Sequence, residues 1–88
     1  MMDSRVQEWL IKWFVENAGA DREELYKNIS ENYFQLGYID SFAFITLIGD
    51  IEDQFSIEFE NDQFEDRSFS TIKGMTTIIE GVLADDKI

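Results

Sequence analysis

The 88-residue chain contains no histidine, no cysteine and no proline, and these absences narrow what it can do. Without His, no serine here can be activated in a Ser-His-Asp triad. Without Cys there are no disulfides and no thiolate metal sites, so packing has to carry the fold, which fits a reducing compartment. Without Pro there is no proline-rich linker. Basic residues are scarce too: seven Lys and Arg stand against nineteen Asp and Glu, for a net charge of −12. From Asn28 to Asp66 there is no Lys or Arg at all, while ten acids fall in that span. Nucleic acid is therefore a poor partner, because phosphate binding relies on basic residues and counterion release. An anionic membrane surface is equally poor. No apolar run approaches the roughly 18 residues of a membrane span. The start, Met1-Met2-Asp3-Ser4, has neither a basic n-region nor an apolar h-region. These features lead us to expect a cytoplasmic protein with no membrane insertion. The acidity itself has two readings: simple solubility, or steering toward a basic protein partner.

What the chain has in quantity is aromatic residues: eight Phe, two Trp and three Tyr. They supply large buried area in a chain near the size where one core is only marginally sufficient. With no repeat and no composition shift, residues 1–88 are expected to form a single domain. A first helix starts at Asp3 or Ser4, with Ser4-x-x-Gln7 as a capping box and Val6, Trp9, Leu10, Trp13 and Phe14 at helical spacing. Asn17-Ala18-Gly19 ends it. Asp21 to Asn32 reads as a mixed connection with a helical turn near Glu23 to Tyr26, tied inward by Leu25, Ile29 and Tyr33 or Phe34. A second helix runs from about Ser41 to Phe55. Phe55, Ile57 and Phe59 alternate with polar residues, a pattern that suits a strand; lacking a pairing partner, the segment is assigned as an extended connector. Asn61-Asp62, with Glu65 in the reciprocal position, caps a short helical turn. Ser70 or Thr71 caps a last helix with Ile72, Met75, Ile78, Ile79 and Val82 inward. The expected fold is all-α: a bundle of three main helices and one short helix.

The second helix has two apolar faces. Phe44, Leu47, Ile48, Ile51 and Phe55 make an ordinary core stripe. Phe42, Ile45 and Gly49 lie on another face, extended by Glu52 and Asp53, and this second face suits partner docking by pairing apolar contact with flanking acids. The competing reading is that the connection before Gly37 covers Phe42. Gly49 costs a helix interior about 1 kcal/mol relative to Ala; it either admits close approach or has no role. Asp40 is a favourable N-cap, which leaves Ser41 in the first turn with its hydroxyl toward solvent. A helix N-terminus favours negative charge, so a phosphate ester on Ser41 would sit in a favourable field. On its own, Asp-Ser is also an ordinary capping pair. As a cap, Asp40 is unsuited to activating Ser41, and no catalytic residue is assigned. Asp50-x-Glu52-Asp53 begins like a calcium loop, but Phe55 stands where the central Gly is required, so no metal site is assigned.

Taken together, these residues resemble the acyl carrier protein family, including its peptidyl and aminoacyl carrier relatives. The resemblance runs from about Tyr33 to Leu83. It is carried by Gly37, Asp40-Ser41, the apolar helix closing on Ile51-Glu52-Asp53-Gln54-Phe55, and then Ile57-Glu58-Phe59, Phe69 and Thr71-Ile72 in order. It implies that Ser41 carries covalent 4′-phosphopantetheine, transferred from coenzyme A by a Mg-dependent phosphopantetheinyl transferase. The arm's terminal thiol would hold cargo as a thioester, and the carrier itself would catalyse nothing. Its implied partners are that transferase, an adenylating or acyl-loading enzyme, and downstream acyl- or aminoacyl-transferring enzymes.

Several positions depart from the fatty-acid type. Phe42 stands where Leu is commoner, Ser56 where Gly often follows the Phe, and Ala43 and Thr46 where acids are typical. Gly37 is also one residue farther from the serine. That spacing, with Tyr38-Ile39 between, resembles D-alanyl carriers and some free-standing specialised carriers, for secondary-metabolite, polyketide- or peptide-like, or cell-envelope biosynthesis. The expectation is a free-standing monomeric carrier, with a D-alanyl carrier as the nearest alternative. The alternative from another class is an unmodified acidic helical adaptor that binds a basic protein. If self-repulsion strains the fold, added NaCl or MgCl₂ should raise Tm. A flat Tm across a salt series would show that it does not.

Overall fold

The structure is a computed structural model that describes residues 5–86. Its elements in chain order are α1 (Arg5–Ala18), α2 (Arg22–Lys27), α3 (Ser41–Phe55), two 3₁₀ turns (Asn61–Glu65 and Arg67–Ser70) and α4 (Ile72–Asp86). The all-α bundle of three main helices plus one short helix is as expected. The helix start at Asp3 or Ser4 and the Ser4-x-x-Gln7 capping box lie outside the described residues. α1 stops at Ala18 because Gly19 takes φ +65°, a left-handed conformation that glycine adopts without steric cost.

The short α-helix is α2, in the region read from sequence as a mixed connection with one helical turn. Asp21 caps it, its Oδ2 accepting the Glu24 N–H at 3.1 Å. Glu23 and Glu24 occupy its first turn and Lys27 its last, both favourable to the helix dipole. The segment expected to be capped by Asn61-Asp62 is a 3₁₀ turn whose cap lies one residue earlier. Glu60 is its N-cap, and the Glu60 N–H donates to Gln63 Oε1 at 2.7 Å. Gln63 thus holds the reciprocal position assigned to Glu65, because its amide oxygen lies within reach of the backbone one turn back. No strand forms among the described residues. In the connector after α3, Ile57 is buried while Phe55 and Phe59 are half-buried.

α1 packs on α2 and α4, and the second 3₁₀ turn packs on α4. Leu10, Ile11 and Phe14 of α1, Leu25 of α2, and Met75 and Ile79 of α4 are fully buried between them. α3 joins this frame through long side chains. Phe55 meets Trp9 edge-on at 5.5 Å, and Trp13 Nε1 donates to Asp50 Oδ2 at 2.8 Å. Phe44 reaches Phe34 at 5.3 Å and Phe69 at 5.9 Å. Of the expected α3 stripe, Leu47, Ile48 and Ile51 are buried, whereas Phe44 and Phe55 are half-buried at its ends.

A surface latch joins α1 to α2: the Tyr26 hydroxyl and the Arg22 guanidinium both donate to the Glu8 carboxylate. Tyr26 first, then Arg22, holds that carboxyl below its usual range. The groups are exposed, so the latch adds little stability. That little is present above the ordinary carboxylate pKa and is lost as acid protonates Glu8.

Two backbone positions are sensitive to substitution. A Cβ on Gly74 would overlap the Ser68 carbonyl, so α4 meets the second 3₁₀ turn at a contact only glycine permits. Thr71 Oγ1 accepts the Gly74 N–H at 2.9 Å and so caps α4 there. Ser56 ends α3 at φ 55°, ψ 47°, left-handed space that costs an L-residue about 1–2 kcal/mol. Gly74→Ala should lower stability by about 1–3 kcal/mol through overpacking, and Ser56→Gly should raise it by up to about 1 kcal/mol. Urea denaturation of both variants checks the pair, and equal stabilities would show that neither contact is as drawn.

Candidate functional site

The site begins in the loop that delivers the chain to α3. Asn32 folds it into a tight turn, its Oδ1 accepting the N–H groups of Phe34 at 2.8 Å and Gln35 at 3.1 Å. The Gly37 N–H donates to Phe34 O and the Tyr38 N–H to Tyr33 O, each at 3.1 Å. Gly37 takes φ +80°, the conformation that turns the chain back toward the bundle. Ile39 is then buried and anchors the loop against the core. Asp40 follows in extended conformation as the N-cap of α3, its Oδ1 accepting the Ala43 N–H at 2.8 Å. The Phe44 N–H donates to Asp40 O at 2.9 Å.

Ser41 is therefore the first residue of α3, and it is exposed. It lines an open groove of about 570 Å³ together with Phe34, Gly37, Tyr38, Ile39, Asp40 and Ala43. Asp40 has its carboxylate turned to the helix backbone, as its capping role requires, so it is not positioned as a base for the hydroxyl. The field at the start of α3 favours an anion there. The arrangement suits an alcohol that accepts a phosphate-linked group from an external catalyst.

The second face of α3 is open. Phe42 is 81 % and Ile45 70 % exposed, so the connection before Gly37 does not cover Phe42. Gly49 is exposed, with open space where a Cβ would lie. Asp53 is exposed, whereas Glu52 is half-buried and its Oε2 accepts the Phe59 N–H at 3.1 Å. Glu52 therefore also fastens the connector to α3. Asp50, first residue of the rejected calcium-loop pattern, accepts from Trp13 instead. Among the described residues no group of three His, Cys, Asp or Glu is placed to hold a metal ion, and no helix is long and apolar enough to cross a membrane.

Sequence reasoning missed Phe34 and Tyr38 as walls of a groove beside the serine. The available signal was the Tyr38-Ile39 pair between Gly37 and the cap, where an aromatic and an aliphatic residue flank one short turn.

The family model for the phosphopantetheine attachment site matches residues 8–79. The chain belongs to this carrier family. The match takes in α1 and α2 as well as the segment from Tyr33 onward that carried the resemblance. Such a domain is the attachment site of covalent 4′-phosphopantetheine, and its members typically carry substrates between enzymes. No curated protein and no solved structure gives a significant match. As the N-cap of α3, Asp40 should contribute about 1 kcal/mol. Asp40→Ala is expected to lose that stability and Asp40→Asn to keep most of it, as measured by chemical denaturation.

Proposed function

We propose that Ser41 is the attachment residue for 4′-phosphopantetheine and that the chain carries an acyl or aminoacyl group, without catalysing its transfer, in a specialised biosynthetic route. The observation that supports this best is the exposed Ser41 hydroxyl at the capped start of α3, inside the span matched by the carrier family. On attachment, Ser41 Oγ forms a bond to phosphorus as the diphosphate of coenzyme A breaks. The adenosine bisphosphate leaves, and the hydroxyl proton passes to a base of the transferase, since Asp40 is committed to the Ala43 N–H. Once bound, the arm supplies a terminal thiol that holds cargo as a thioester.

Phe42, Ile45, Gly49 and Asp53, with Glu52 at the edge, form the docking face in this reading. Its chemistry calls for a partner pocket that is apolar at the centre and basic at the rim. The phosphopantetheinyl transferase, the adenylating or acyl-loading enzyme and the downstream transfer enzymes would all use it. A D-alanyl carrier is the second reading, favoured by the spacing of Gly37 from Ser41. Which adenylating enzyme loads the chain separates the two.

Incubation with coenzyme A, Mg²⁺ and a broad-specificity phosphopantetheinyl transferase should add one phosphopantetheine by intact mass, and Ser41→Ala should abolish the gain. No gain with an active transferase would overturn the assignment and leave an unmodified acidic adaptor. Phe42→Glu and Ile45→Glu should slow loading by about tenfold or more, as loss of an interface anchor does, with Tm unchanged. Gly49→Ala should stabilise the fold by up to about 1 kcal/mol while hindering docking; unimpaired loading would remove Gly49 from the face.

A further inference from the structure

We propose that the groove ahead of α3 is a binding subsite for the pantetheine arm, with Phe34 and Tyr38 as its aromatic wall. The inference rests on Ser41 being the attachment residue. Ser41 itself lines the groove, so an occupant tethered to its hydroxyl is held beside the walls at high effective concentration. The volume, about 570 Å³, lies within the roughly 300–1,000 Å³ of ordinary small-molecule sites.

The walls are built in advance of any ligand. The Asn32 turn, the Gly37-to-Phe34 bond and the Tyr38-to-Tyr33 bond fix the loop backbone. The Phe34 ring lies 5.1 Å from that of buried Tyr33, and the Tyr38 ring stands edge-on to buried Phe14 at 6.4 Å. A preformed wall lowers the entropy lost on binding. The chemistry also corresponds: the arm alternates aliphatic stretches with amides, and the groove combines two aromatic residues with Gly37, Ile39 and the polar Asp40 and Ser41.

The flank of α3 toward the 3₁₀ turns is filled differently. There the rings of Phe44, Phe59, Phe64 and Phe69 pack against one another at 5.0 to 6.4 Å. Phe42 and Ile45 take no part in the groove. An arm resting in it therefore leaves the proposed docking face open to a partner enzyme.

The test loads isotopically labelled protein with unlabelled phosphopantetheine, confirms the gain by intact mass, and records isotope-filtered NOE spectra. Contacts are expected from the arm's methyl and methylene protons to the ring protons of Phe34 and Tyr38. Phe34 is too far along the chain from Ser41 to report attachment through bonds alone. Ala43→Leu narrows the groove from the α3 side, where half-buried Ala43 lines it and packs against the core. It should abolish those contacts at an unchanged mass gain and with the wild-type ring-to-ring NOEs of Phe14, Tyr33 and Phe34 retained. Contacts to Phe64 or Phe69 instead, contacts to no ring, or full persistence in Ala43→Leu would each overturn the subsite while leaving Ser41 as the attachment residue. Failure of the wild-type chain to gain mass overturns the attachment reading and the subsite with it.

Discussion

The fold and the site both depend on how Tyr33 is held. Its side chain is buried, yet its hydroxyl donates to the Phe69 carbonyl, and its own N–H donates to Ser70 O at 3.0 Å. These two bonds tie the loop before α3 to the turn before α4. Burial pushes the phenol's pKa up, which keeps the proton on the oxygen and the donor intact. Around the ring lie Phe14 of α1 at 5.2 Å, Phe34 at 5.1 Å and Phe44 of α3 at 6.5 Å. One residue thus reaches three helices or their approaches. A buried phenol with its hydrogen bond satisfied can do this where Phe would leave a buried carbonyl short of a partner.

The position of the serine follows from that anchor. Tyr33 O receives the Tyr38 N–H, so the loop that ends at Asp40 is pinned at the same point as the core. From there Gly37 turns the chain, Ile39 seats it and Asp40 starts the helix. Ser41 can therefore be exposed without being loosely placed. α3 meets the frame through aromatic rings and the Trp13–Asp50 bond, which leaves Phe42, Ile45 and Gly49 exposed on its other face. Phe42 and Ile45 can stay exposed because Leu47, Ile48 and Ile51 already supply the buried stripe. Such exposure has no benefit to the isolated fold, and this is the physical reason to read it as an interface.

Much of this was legible in the chain because the strongest signals were periodic. The α3 stripe, the Asp40 cap and both limits of α3 follow from helical spacing and from the cost of leaving N-terminal amides unpaired. The exposed Phe42–Ile45 face was legible for the same reason, since a stripe already complete has no use for further apolar residues. Short-range features were harder to read. α2 is only six residues long, too brief for a periodic signal, and Asp21 was its one local mark. The first 3₁₀ turn takes Glu60 as its cap and not Asn61, because several adjacent polar residues could each serve. Tyr33 and Phe34 were set down as core ties, but nothing in the sequence could say that Phe34 also faces a groove beside Ser41. That depends on the Asn32 turn and on two backbone bonds that leave no periodic trace.

The acidic caps explain why the molecule would need other proteins to act. Asp40 is the one acid next to Ser41 in sequence, and its carboxylate accepts from the Ala43 N–H, in the geometry that starts the helix. The same hydrogen bond that starts the helix engages one oxygen of that carboxylate with the backbone. In the proposed role, the exposed Ser41 would take its group from a catalyst that brings its own base. The docking face beside that hydroxyl would select partners, and the absence of Lys and Arg from Asn28 to Asp66 would favour a partner of basic charge. Members of this family typically carry substrates between enzymes, and in the proposed role this chain would supply position, shape and charge while the partner supplies the chemistry.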